Sequence, residues 1–333
     1  MRTIRWGMIG CGDVAEVKSG PGFYKARNSR LVAVMRRNGA LAADFARRHG
    51  VPRWHDDADA IIGADDIDAV YIATMTDTHR DYTLRCAAAG KAVYVEKPMA
   101  LELPHCMEMV EACRRSRVPL WVAYYRRRLP RFIAVRDLIA AGRIGDPRVV
   151  TVRQLKRMAS PEDLASHALS WRADASRGGG VFFEGVGHTL DILDFLLGPI
   201  ADVAAFADNQ AGVQATEDVV VANFRFASGV YGSATWCFAS DEDDEYVEVT
   251  GSRGAVRFSV TRALPIRVTA AGRTWEVPIE DPAHVQQPLI QSIVDELNGG
   301  ERCPSDGVSA LRTARVLDGI VSGFRERRRG QPG

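Results

Sequence analysis

The stretch Ile4-Arg5-Trp6-Gly7-Met8-Ile9-Gly10-Cys11-Gly12-Asp13-Val14-Ala15 reads as a buried strand that runs into a glycine-rich turn and then a helix. A turn of the form G-x-G-x-x-A after the first strand can seat a dinucleotide pyrophosphate. Gly10 allows the tight turn, Gly12 lets backbone N–H groups approach phosphate, and Ala15 lets the helix pack closely on the strand. The helix N-terminus then sets partial positive charge against the anion. Gly10, Cys11, Gly12, Asp13 and Val14 are therefore the first candidate cofactor contacts. The motif is weak alone and gains weight from its position between the first strand and the first helix of the chain.

Outward from that turn, the first 125 residues alternate apolar runs with helical segments. Leu31–Met35, Ala69–Ala73, Ala92–Val95 and Leu120–Ala123 are short and apolar, and segments such as 39–49 and 78–89 lie between them. Parallel strands need such crossovers, so the pattern predicts an α/β, doubly wound parallel sheet. After Pro130 a helix over about 131–141 ends at Gly142, and period-two strands follow at Val149–Leu155, Val219–Phe226, Val230–Trp236, Tyr246–Thr250 and Ala255–Val260. Successive strands imply a mostly antiparallel open sheet. Helices near 286–299 and 306–328 close the chain. The expected division is a dinucleotide-binding domain over 1–125 and an α+β domain for substrate and oligomerisation over 126–333, with the C-terminal helix free to pack back on the first.

Composition narrows the partners. With 333 residues and a net charge of +1, the chain suits two domains and offers no global field for nucleic acid or anionic membrane. Six cysteines without C-x-x-C spacing point to reduced thiols. With no leader and no run of about 18 apolar residues, a cytoplasmic protein with a small-molecule substrate is expected. The acidic run Asp241-Glu242-Asp243-Asp244-Glu245 reads as a solvated hairpin, and the basic run from Arg325 to Arg329 as a helix end whose cations complement the dipole.

Residues at the predicted strand ends decide the chemistry. A Rossmann strand usually delivers an acid to the adenosine ribose, whereas here it delivers Arg36-Arg37-Asn38, with no carboxylate before Asp44. A guanidinium fork suits a 2′-phosphate, so NADP(H) is the expected dinucleotide and NAD(H) the second choice. Thr74 and His79 follow the next strand and should approach the same ligand. Glu96-Lys97-Pro98 ends the strand after that, with Pro98 holding Lys97 extended.

This set resembles the Gfo/Idh/MocA family of NAD(P)-dependent oxidoreductases. Beyond the glycine turn and Glu96-Lys97-Pro98, the resemblance covers Ala89-Gly90-Lys91, Arg127 and Pro130, Trp171-Arg172, Gly178-Gly179-Gly180, and Glu184 with His188. It implies that Lys97 sits between nicotinamide and substrate, and that Glu184 and His188 match the family's D-x-x-x-H pair, with glutamate in place of the usual aspartate. Met75 also departs from a frequent proline. The resemblance further implies that Trp171 and Arg172 reach the cofactor, and that Glu96 and Lys97 lie beside it.

Histidine can take and return a hydroxyl proton, so His188 is the expected general acid/base. Lys97 stabilises charge on the reacting oxygen, and Glu184, one helical turn before His188, orients it or holds a substrate hydroxyl. Lys97, Tyr124, Arg127, Glu184 and His188 are the candidate substrate contacts. Glu184, His188 and Asp191 share a helical face, but without a second histidine at ligand spacing no metal is expected. The leading expectation is hydride transfer between nicotinamide and a hydroxyl or carbonyl carbon of a sugar, sugar derivative, cyclitol or cyclic diol. The alternatives are a glycoside hydrolase with tightly bound dinucleotide and a non-catalytic dinucleotide sensor. A homodimer or homotetramer is expected through the free face of the second sheet.

Overall fold

In a computed structural model the described residues are 1–160, 162, 163, 174, 176, 177 and 179–329. Trp171, Arg172 and Gly178 lie outside them. The first sheet contains β1 (Ile4–Ile9), β2 (Ser29–Met35), β3 (Arg53–His55), β4 (Ala69–Ile72), β5 (Ala92–Val95) and β6 (Leu120–Val122), in the order β3-β2-β1-β4-β5-β6 and parallel throughout. This is the doubly wound order whose reversal beside β1 creates a crevice at the strand ends. The strands are buried on both faces, as β1 and β4 show, because helical crossovers cover a parallel sheet. Those crossovers include α1 (Gly20–Lys25), α2 (Gly39–His49), α3 (Asp59–Ile62), α4 (His79–Ala88) and α5 (Leu103–Arg115). An aromatic cluster fills the core beside β1. Phe23 lies 5.0 Å from both Trp6 and Tyr71, and Tyr71 stacks on Tyr94 at 4.9 Å.

The second sheet is larger than the five strands predicted. It comprises β7 (Pro147–Arg157), β8 (Ile200–Asp208), β9 (Val219–Phe226), β10 (Tyr231–Ser240), β11 (Asp244–Gly251), β12 (Gly254–Phe258), β13 (Ile266–Ala270) and β14 (Arg273–Val277). Their order is β14-β13-β12-β11-β7-β10-β9-β8, and every pairing is antiparallel except that of β7 with β10. That exception corrects the reading of the acidic run. β10 and β11 do not form a hairpin, because both pair with β7, which lies between them. Residues 241–243 therefore cross the end of β7, where Arg153 meets Asp244 at 2.8 Å and the Arg157 N–H donates to Asp243 at 3.0 Å. Glu245 is buried and accepts from the Val260 N–H at 2.7 Å and the Thr261 hydroxyl at 3.1 Å. The run is a structural clasp matched to the basic end of β7. On one side of this sheet pack α6 (Pro130–Ala140) and α7 (Val181–Leu197).

The domain division also differs from the expected one. The chain forms two compact units, 1–129 with 282–311 and 130–281 with 312–333. Segment 282–311 holds α8 (Gln287–Leu297) and the start of α9 (Gly307–Arg329). It belongs with the first unit for local reasons: Gln286 bonds Tyr94 and Glu96, Trp121 donates to Glu296 at 2.9 Å, and the Ser305 hydroxyl donates to the Val122 carbonyl at 2.7 Å. All six cysteines are free thiols, and burial pushes Cys86 and Cys113 up to about 12. Among the described residues no helix is long and apolar enough to cross a membrane.

Candidate functional site

The glycine turn separates two demands. Gly10 has φ +97°, and a Cβ there would stand 2.7 Å from the Ala73 backbone at the end of β4, so the protein itself requires glycine. Gly12 has no such requirement: a Cβ there would meet no atom of the described residues within 4 Å. The space beside it suits a ligand, and the turn fits a pyrophosphate. The helical path opens at Asp13 and Val14 and is a π-helical turn over Ala15–Ser19 before α1, a form common at functional sites. Ala15 is fully buried, and its N–H and that of Glu16 both bond the Gly12 carbonyl. Cys11 needs correction. Its N–H is spent on the Met35 carbonyl at 3.2 Å and its side chain is buried, the burial pushing the thiol up to about 11.

At the end of β2, Arg36 is half-buried and Arg37 exposed. Among the described residues neither pairs with a carboxylate. Asn38 caps α2 by accepting from the Leu41 N–H at 3.2 Å, and Asp56, after β3, lies against Gly39. Asp44, the first acid after the strand, is turned toward Arg47 and Arg48 at 2.6 Å each.

The ends of β4 and β5 carry residues that the fold itself uses. His79 is buried, with Nδ1 2.9 Å from the Pro98 carbonyl and Nε2 3.1 Å from the Thr74 carbonyl. Burial pulls its pKa down and the carbonyls oppose that pull. His79, expected at the dinucleotide, ties the two strand-end loops together. The Thr74 hydroxyl lies 2.7 Å from that of Thr78. Glu96 is corrected likewise: it is buried and accepts from Tyr71 Oη at 2.6 Å, Gln286 Nε2 at 2.6 Å and the Lys97 N–H at 3.1 Å. Lys97 is half-buried, joined to Pro98 by a cis peptide bond. Tyr124 is fully buried beside the turn that carries Arg127, whose guanidinium donates to the Pro304 carbonyl at 3.1 Å. The part of Arg127 so engaged holds the returning segment.

In the second unit, Gly179 and Gly180 lead into α7, which presents Glu184, His188 and Asp191 at helical spacing on one face. Glu184 is half-buried, and His188 and Asp191 are buried. The later acids of the helix anchor α9. Thr313 Oγ1 lies 3.4 Å from Asp191 Oδ1, and Arg312 grips Asp194 with two bonds of 2.7 Å. A cavity of about 220 Å³, lined by Lys156, Met158, Val181, Val213, Gln214 and Phe238 among others, opens at the start of α7. Glu217 was missed by the sequence reading. It is fully buried with neither carboxylate oxygen bonded to another of the described residues, and burial raises its pKa while its own backbone and then Arg325 oppose the rise. Nothing in the pattern before β9 marks it.

Comparison with known proteins agrees with this arrangement. Residues 4–124 match the model of the oxidoreductase family with NAD-binding Rossmann fold, and 132–257 match the GFO/IDH/MocA C-terminal domain. The chain is 38% identical to oxidoreductase P35 of Formosa agariphila, over 95% of this chain and 97% of that protein. It is 32% identical to inositol 2-dehydrogenase of Rhizobium meliloti, over 98% of each. The crystal structure of the WlbA dehydrogenase from Bordetella pertussis, in complex with NADH and UDP-GlcNAcA, superposes with a TM-score of 0.82 at 25% identity, over 98% of each chain. The chain belongs to the Gfo/Idh/MocA family and is an NAD(P)-dependent oxidoreductase acting on CH–OH groups.

Proposed function

We propose that this oxidoreductase prefers NADP(H) and interconverts a hydroxyl and a carbonyl on a sugar, sugar derivative, cyclitol or cyclic diol. The observation that carries the cofactor preference is the end of β2, where Arg36 and Arg37 stand without a carboxylate partner among the described residues. The substrate class is supported by inositol 2-dehydrogenase, a full-length relative at 32% identity. The bound nicotinamide supplies the hydride acceptor or donor. Lys97 stabilises charge on the reacting oxygen, His188 carries the proton, and Glu184 orients the histidine or a substrate hydroxyl. The backbone N–H groups of Asp13 and Val14 receive the pyrophosphate, beside the space left at Gly12, whose own N–H is bonded to the Gly10 carbonyl at 2.8 Å. Trp171 and Arg172 remain candidates for the cofactor, and Tyr124 and Arg127 for the substrate.

The test is a fluorescence titration of the wild-type protein with NADPH and NADH, followed by a screen of polyols and sugars with the preferred dinucleotide. Tighter NADPH binding, with turnover lost in Lys97→Met and His188→Ala but dinucleotide affinity kept, is the expected result. Equal affinity for both dinucleotides would remove the phosphate argument, and full turnover in both variants would remove the catalytic roles.

We propose further that two copies associate through the free face of the second sheet. Phe206 and Val221 lie opposite each other there, as do Tyr231 and Val149, and all four are exposed. Light scattering should give a dimer or larger species that Phe206→Asp shifts toward monomer.

A further inference from the structure

Gln286 opens the segment by which the chain returns to the first unit, and its side chain is 1% exposed. It stands at the N-terminus of α8 without capping it. Instead Nε2 donates to Glu96 Oε1 at 2.6 Å, and Oε1 accepts from Tyr94 Oη at 2.8 Å. The amide can face only this way, because an ionised carboxylate accepts and does not donate. Tyr71 Oη donates to the same Glu96 oxygen at 2.6 Å, and the other oxygen accepts the Lys97 N–H at 3.1 Å.

We infer that Gln286 is a positioning residue for Lys97, acting through the Glu96 carboxylate. Two donors on Oε1 fix the plane of that carboxylate, and the fixed plane presents Oε2 to the Lys97 amide. With one donor gone, the carboxylate is free to turn toward Tyr71 alone, and the backbone that carries the ammonium loses its acceptor. A residue 189 positions later in the chain thus sets the stage for a side chain at the end of β5. This inference rests on the role proposed for Lys97, but its first readout does not.

Gln286→Met keeps the length of the side chain and removes the donor. Hydrogen exchange on the full chain reads the Lys97 amide directly, since Pro98 contributes none. Exchange at Lys97 should rise about tenfold or more while β1 and the rest of α8 keep their protection. NADPH affinity should stay within about twofold, and turnover should fall as it does in Lys97→Met. Unchanged exchange at Lys97, or acceleration spread evenly over the first unit, overturns the inference.

If Gln286→Met does not fold, Gln286→Glu decides. Protonated, the introduced carboxyl donates to Glu96 as the amide did; ionised, it loses the donor and adds a like charge. Lys97 exchange, corrected for its intrinsic pH dependence, should match wild type near pH 5.5 and accelerate by about pH 8.5, because burial and the Glu96 charge both raise the introduced group. The titratable groups bonded to it are Glu96 and Tyr94, with Tyr71 on the same Glu96 oxygen, Lys97 next to Glu96 in the chain, and Cys303 and Tyr125 beside Tyr94. Burial holds both Tyr71 and Tyr94 well above this range, and Cys303 is pushed up to about 11. His284, 2.7 Å from Lys25 Nζ, is common to variant and wild type, so the wild-type profile subtracts it. A pH-independent profile overturns the inference. Full turnover in Lys97→Met would sink the catalytic role of Lys97 and leave the exchange result standing.

Discussion

The arginines at the two ends of α2 are in opposite circumstances. At its C-terminal end Arg47 and Arg48 complement the helix dipole, and Arg48 binds both Asp44 and Glu16. Just before its N-terminal end Arg36 and Arg37 place two cations beside the positive end of the same helix, with no carboxylate partner among the described residues. The first arrangement stabilises the protein as it stands. The second places like charge beside the positive helix end, which an anion would relieve. Around one helix, pairing marks the charges the fold has used, and on the proposed reading its lack marks those kept for a ligand.

The largest test of that contrast is Arg36→Asp. If Arg36 pairs with a 2′-phosphate as proposed, replacing its guanidinium by a carboxylate should weaken NADPH binding about 100-fold, roughly 2.7 kcal/mol, while NADH binding holds or improves. Titrations with both dinucleotides measure it. Arg48→Ala, at the used end, should lower Tm and leave the ratio of the two affinities alone. If both variants shift the ratio equally, the contrast fails.

The glycine turn carries the same contrast at closer range. Gly10→Ala puts a Cβ against the Ala73 backbone at a positive φ, so it should cost about 3 kcal/mol or more, read as a large fall in Tm. Gly12→Ala meets no atom of the described residues and should fold with an unchanged Tm. Its methyl would occupy the approach of the phosphate, weakening NADPH binding about tenfold. A Tm loss in Gly12→Ala comparable to that of Gly10→Ala would erase the distinction.

The parts of this molecule that were legible in the sequence are those set by local pattern. Val219–Phe226, apolar and β-branched at its start and alternating from Ala222, is β9 residue for residue, and the turn at Gly10 to Ala15 stands where the strand-turn-helix reading put it. Edge and short strands escaped: β3 has three residues, and β8 is alanine-rich with weak alternation. The parallel pairing of β7 with β10 escaped because register between distant strands leaves no mark in either one. Among the site residues, the strand-end position of His79 and Glu96 was readable but their use was not. Whether a buried polar group is offered to a ligand depends on donors and acceptors elsewhere, here Pro98, Tyr71 and Gln286. The choice between spent and reserved groups is made by tertiary contacts.

Glu16 gives the smallest effect and the sharpest sign. It lies in the π-helical turn after the glycine turn, where the Arg48 guanidinium, with help from His49, holds its carboxyl at about 2. A carboxyl lowered on folding stabilises fully above its unfolded value, about 4.5, and the contribution vanishes as pH falls through about 2. Both side chains are partly exposed, so solvent screening leaves about 1 kcal/mol, or about 2–4 °C in Tm. Glu16→Gln should therefore lie below wild type by that margin at neutral pH, with the gap closing between about pH 4.5 and 2. NADPH affinity should stay within about twofold, since Glu16 is a charge the fold has used. A tenfold loss of affinity, with Tm unchanged at neutral pH, would place Glu16 among the ligand-directed groups and make pairing an unreliable mark of which charges the protein keeps for itself.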